Sequence, residues 1–149
     1  ERAKEEMLLL AKSGTQTVKL VDRTFNANKT RAKELWQFVI DEHGKGIPEN
    51  VCFHFEIAGD ILDEESIKIL NSAPKGSIQL EIGMQSFNEK TLAYINRRTN
   101  TEKLIKNIFQ ACFIFISDFL EFFSLKRIRN IFFKGVCLKF YVIEKHNKK

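Results

Sequence analysis

The sequence predicts an α/β fold of parallel strands, arranged as part of a β/α barrel (TIM-like) rather than as a doubly wound sheet. Three observations carry this. Helical and strand patterns alternate over residues 1–108 in the order α–β–α–β–α–β–α, which implies parallel strands joined by right-handed crossovers. The strands 51–57 and 77–82 each carry one polar face, whereas a doubly wound sheet usually buries both faces in aliphatic residues. The ends of the three strands are polar or contain Gly, as a ligand rim in such folds should be.

The elements follow in order. Ala3, Met7, Leu10 and Ala11 recur at helical spacing, and Gly14 supplies the stop. Thr17 to Asp22 (TVKLVD) reads as a short apolar strand, followed by a polar loop from Arg23 to Asn28. Ala32, Leu35, Trp36, Val39 and Ile40 mark one face of a helix that ends near Gly44. Val51 to Ile57 (VCFHFEI) is the second strand. Asp63 is placed to cap the next helix, with Glu64 and Glu65 in its first turn, and that helix runs to about Ala73. Ser77 to Ile82 (SIQLEI) is the third strand. Asn88 opens a further helix carrying Leu92 and Ile95, and another starts near Thr101.

The character changes from Phe109. Nine of the 14 Phe lie in residues 109–149, with many Ile and Lys and no Pro. Ile108, Cys112, Phe115, Ile116, Phe119 and Phe123 form a helical stripe facing a core or a partner, and Val136 to Ile143 reads as a strand. The chain therefore divides into a β/α core, 1–108, and a divergent tail, 109–149. The composition break is of the kind a frameshifted or diverged end produces.

Charge follows the same division. In residues 1–108, 16 Lys+Arg balance 16 Asp+Glu, so the net charge of +5 comes from 8 basic against 3 acidic residues in the tail. A basic tail is weak support for a nucleic-acid partner. Cys52, Cys112 and Cys137 are far apart, odd in number and free of CxxC spacing. That argues against a disulfide framework and against a self-contained zinc or iron–sulfur site. A reduced, cytoplasmic protein is expected. The most apolar run, Phe109 to Phe123, is broken by Asp118 and Glu121 and is shorter than the ~20 residues of a membrane span.

Glu56 is the sharpest candidate. A carboxylate at a strand end within an apolar run is costly unless a cation pairs with it. A bound ammonium group would serve, and so would a salt bridge to Arg23, Arg97 or Arg98. Cys52, His54 and Glu56 share a strand face, but their spacing matches no standard zinc pattern. In Gly83-Met84-Gln85-Ser86, Gly83 permits close approach of the backbone and Gln85 offers a donor and an acceptor suited to ribose hydroxyls. Arg97 is a fixed cation able to fork onto a carboxylate, or else part of a solvated helix end.

Taken together these stretches resemble the radical S-adenosylmethionine (SAM) superfamily. The run QLEIGMQSFNEKTLAYINRR, Gln79 to Arg98, is similar to the G-x-Q-[SD] strand end and following helix of its coproporphyrinogen-oxidase-like and methylthiotransferase-like groups. VKLVDRTFNAN and HFEIAGDILDEESIKIL are similar to members that also carry a cobalamin-binding domain. The resemblance covers residues 1–108. It implies a six-stranded partial barrel in which the three strands are the second to fourth, and a CxxxCxxC motif, before Glu1, binding a [4Fe-4S] cluster. It also implies reductive cleavage of SAM to a 5′-deoxyadenosyl radical, and leaves open whether cobalamin is a further cofactor. Carried over residue by residue, Glu56 binds the SAM ammonium, Gln85 the ribose beside Ser86, and Arg97 the methionine carboxylate. Asp22 to Asn26 falls where the family's Gly-Gly-Glu-type segment meets SAM, but has no Gly. Without the cluster motif this chain is expected to turn over little or no SAM. The competing expectation is a non-catalytic binding or scaffold domain that associates through an open barrel edge. A Rossmann-type nucleotide domain is disfavoured because no GxGxxG occurs.

Overall fold

The computed structural model describes residues 1–84, 93, 94, 96, 99–112, 130–133 and 136–142. Its elements in chain order are α1 (Arg2–Ala11), β1 (Thr17–Lys19), α2 (Lys29–Glu42), β2 (Cys52–Ile57), α3 (Glu64–Asn71), β3 (Ile78–Met84), α4 (Thr101–Cys112), β4 (Asn130–Phe133) and β5 (Val136–Val142). Short 3-10 turns, Phe25–Ala27 and Gly59–Ile61, follow β1 and β2.

The strands form one sheet in the order β1-β2-β3-β5-β4. β1–β2, β2–β3 and β3–β5 run parallel, and β4 lies antiparallel on β5. The register pairs Val18 with Phe53, Phe53 with Ile78, and Ile78 with Val136.

Alternation dictates the layers. In a strand, successive side chains leave opposite faces. Val18, Phe53, Phe55, Ile57, Ile78, Leu80 and Ile82 therefore share one face. They are buried in a single core with Met7 and Ala11 of α1, Ala32, Leu35, Trp36 and Val39 of α2, Ile67 and Leu70 of α3, and Leu104 of α4. These four helices thus draw on the same face of the sheet. Phe25 closes this core beneath the β1–α2 loop, with its ring centroid 4.5 Å from Phe55 and 5.9 Å from Trp36. Such aromatic pairs contribute roughly 0.5–1.5 kcal/mol beyond area burial.

The helix ends follow from capping chemistry. Asn28 accepts the Arg31 N–H and opens α2, Asp63 accepts the Ser66 N–H and opens α3, and Asn100 accepts the Lys103 N–H and opens α4. Gly14 has φ +84°, the left-handed conformation that ends the segment after α1.

Several boundaries shift from the sequence reading. The first strand stops at Lys19 rather than Asp22: Leu20 N–H makes one further bond to His54 O, and Val21 is then 91% exposed. The second begins at Cys52 and α3 stops at Asn71. The third extends to Met84, paired along its length with β5. The helix expected after Asn88, and most of the stripe from Ile108 to Phe123, lie outside the described residues. Among the described residues no helix is long and apolar enough to cross a membrane.

Candidate functional site

The face of the sheet opposite the helices is polar. Lys19 of β1 sits in register with His54 of β2, and His54 with Gln79 of β3. One step toward the carboxyl ends, Glu56 pairs in register with Glu81. On the far side, Cys137 and Lys139 of β5 stand in register with Gln79 and Glu81.

Glu81 is the hub of this layer. Its Oε2 takes the Lys19 ammonium at 3.0 Å and lies 2.9 Å from His54 Nε2, the latter at ion-pair distance but poorly aligned for a hydrogen bond. His54 Nδ1 lies 3.4 Å from Gln79 Nε2. The His54 ring is buried, and the Glu81 side chain keeps 16% of its exposure. The Glu81 carboxylate is thus compensated locally, as a largely buried anion must be.

Glu56 differs. It is half-buried on the same face, at the carboxyl end of β2, on the strand next to Glu81. Neighbouring strands lie ~4.8 Å apart, so two carboxylates occupy adjacent positions. Among the described residues the Glu56 side chain has neither a hydrogen bond nor an ion pair. Arg23, one of three cations considered for it, does not reach it, and Arg97 and Arg98 lie outside the described residues. The site therefore carries one compensated carboxylate and one that a further cation would satisfy.

The loops at this end of the sheet are tied together. Asn26, 2% exposed, donates Nδ2–H to Ala58 O at 2.8 Å and accepts the Ala58 N–H on Oδ1 at 2.9 Å. From the other side, buried Asn107 of α4 donates to Gly59 O at 2.8 Å and Leu62 O at 3.0 Å. Asp60 Oδ2 accepts the Asn100 N–H at 3.2 Å. The β2–α3 loop is thereby held by both neighbouring segments.

Of the residues singled out in the sequence, Glu56 at the end of β2 and Gly83 at the end of β3 are described at this rim. Gln85, Ser86 and Arg97 lie outside the described residues. Asp22 is exposed and lines a different feature, a groove of about 480 Å³ bounded by α1, β1 and the start of α2, with Leu10, Val21, Phe25 and Arg31. Glu56 does not line this groove. Lys19 and Asn107 are not singled out in the sequence, and Asn26 is there only as the end of the Asp22–Asn26 segment, without its tie to Ala58. Lys19 was detectable as the polar residue of its strand sharing the face of His54. Asn26 had no local signal, because its partner is 32 residues away.

The donor set does not fit an iron–sulfur cluster. Among the described residues no group of three or more His, Cys, Asp and Glu is placed to hold a metal ion, and the cysteines at 52, 112 and 137 lack the spacing of a three-thiolate motif. Comparison with known proteins finds no matching family model, no matching curated protein and no matching solved structure.

Proposed function

We propose that this chain is the SAM-binding part of a radical SAM core, its sheet forming part of an open β/α barrel whose polar face lines the ligand cavity. The observation that supports this reading most is Glu56. It is a half-buried carboxylate at the carboxyl end of a parallel strand, on the face opposite α1 to α4, beside a carboxylate that has already taken the Lys19 ammonium. The ligand group it calls for is a cation able to hydrogen-bond, and the α-ammonium of an amino-acid nucleoside is such a group.

In this reading Glu56 holds the SAM ammonium. By the resemblance, Gln85 and Ser86 meet the ribose and Arg97 the carboxylate. Lys19 and His54 hold Glu81 and keep the floor of the site polar. The chain's own donor set does not suit a [4Fe-4S] cluster, so no cleavage of SAM, and no step through cobalamin, is assigned to it. Its activity is binding.

Titration calorimetry with SAM on the 149-residue chain tests this. Binding that weakens at least about tenfold in Glu56→Ala and Arg97→Ala agrees with the loss of one charged partner each. A stoichiometric cluster on the purified chain would contradict the division of labour. A second reading, a non-catalytic binding module, draws on the β1 edge. Among the described residues β1 is an edge strand; Leu10 and Val21, 50% and 91% exposed, line the groove beside it, and exposed apolar residues next to a strand edge favour association. Indifference to SAM, with association lost in Val21→Lys, would favour it.

A further inference from the structure

We propose that Asn26 is a positioning residue for Glu56, which it aims without touching ligand; this rests on the SAM-binding reading above. The ladder between β1 and β2 sets the geometry. Cys52 N–H donates to Gln16 O at 2.9 Å, and Leu20 N–H donates to His54 O at 3.0 Å. In a parallel pair every second residue of a strand faces the same neighbour, so Cys52, His54, Glu56 and Ala58 present their backbone groups toward β1. Phe53 faces the other way, with its N–H on Ser77 O.

β1 ends at Lys19, yet the β2 backbone continues extended through Ala58, at φ −92° and ψ 115°. There the Asn26 carboxamide offers Ala58 a donor and an acceptor at 2.8 and 2.9 Å. A side-chain amide has the same donor–acceptor pair as a peptide unit. Asn26 thus acts as a surrogate strand residue after the real strand has turned away. Glu56 stands between two tied positions, His54 and Ala58, and its direction is set by both. The clamp is 2% exposed at Asn26, so water does not readily replace it, and losing it frees one of those two anchors.

The role is distinguishable from plain stabilisation by which ligand notices. Two ligands are titrated calorimetrically into the full chain. One is SAM, and the other is 5′-methylthioadenosine, which keeps the nucleoside but lacks the ammonium-bearing arm. Asn26→Ala is expected to weaken SAM about tenfold, the effect of misplacing one charged hydrogen bond, and to change methylthioadenosine affinity less than about twofold. In a Glu56→Gln background the same substitution is expected to change SAM affinity less than about twofold, because the group it positions is gone. Asn26→Ser, smaller in change and uncharged, gives the same pattern if Asn26→Ala does not fold. Equal losses for both ligands, or additive losses in the double variant, overturn the proposal while leaving the SAM reading intact. A wild-type chain that binds neither ligand overturns both.

Discussion

Glu56→Gln should make the ligand-free protein more stable while impairing the site. Glu56 and Glu81 occupy register partners on adjacent strands. Two unit charges ~5 Å apart repel by about 3 kcal/mol at an effective dielectric constant near 20. Two features reduce that figure. Glu81 already shares its charge with Lys19, and Glu56 retains contact with solvent. A net gain of about 0.5–1 kcal/mol on removing the Glu56 charge is what remains. For a chain of this size that corresponds to a midpoint rise of about 1–4 °C. Urea unfolding of wild type and Glu56→Gln at low and high salt measures it. The gain should shrink as salt screens the pair, since the Debye length falls to ~3 Å at 1 M. A loss of stability exceeding about 0.5 kcal/mol would refute the reasoning, because it would mean that Glu56 makes a stabilising contact within the chain.

Other residues give independent expectations. Glu81→Gln removes the anion that pairs with Lys19 and lies against the buried His54 ring, and should cost about 1–3 kcal/mol in urea unfolding; a neutral result would show that the polar layer is not coupled. Gly59→Ala sets a methyl 2.5 Å from Leu104 Cδ1 and 3.3 Å from Ile82 Cγ2, both in the core, and should destabilise by about 1–3 kcal/mol; tolerance would place α4 farther from the loop. Asp63→Ala removes the α3 cap and should cost about 1 kcal/mol at neutral pH. The Ser66 N–H, with a smaller contribution from Lys33, holds the Asp63 carboxyl below its ordinary 3.8. A lowered folded-state value means that the contribution is complete above 3.8 and is lost as pH falls through the folded value. The gap between wild type and Asp63→Ala should therefore close in acid, and a constant gap in pH-dependent melts would contradict this.

Much of the local structure was legible because it depends on short-range rules. Asp63 read as a cap and is one. The stripe Ala32, Leu35, Trp36, Val39 read as a helix face and is buried. The alternation in VCFHFEI and SIQLEI separated a helix-facing side from a polar side, and the core follows that division. What escaped was long-range. The length of β1 is set by where the chain leaves β2, not by its apolar composition. The reach of β3 is set by β5, more than 50 residues later. Strand β4 escaped because Asn130–Phe133 has no alternation. Asn26 reads as one more polar loop residue until Ala58 is beside it. Glu56 was legible because an acid in an apolar run is conspicuous whatever it meets.

A backbone amide correlation spectrum of the chain, recorded with and without SAM, tests the central claim most directly. Ligand-induced shifts should concentrate at the carboxyl ends of β2 and β3, with Glu56, Ala58 and Glu81 among them, and α2 and α3 should change little. No shifts at saturating ligand, or shifts confined to the groove beside α1, would contradict it.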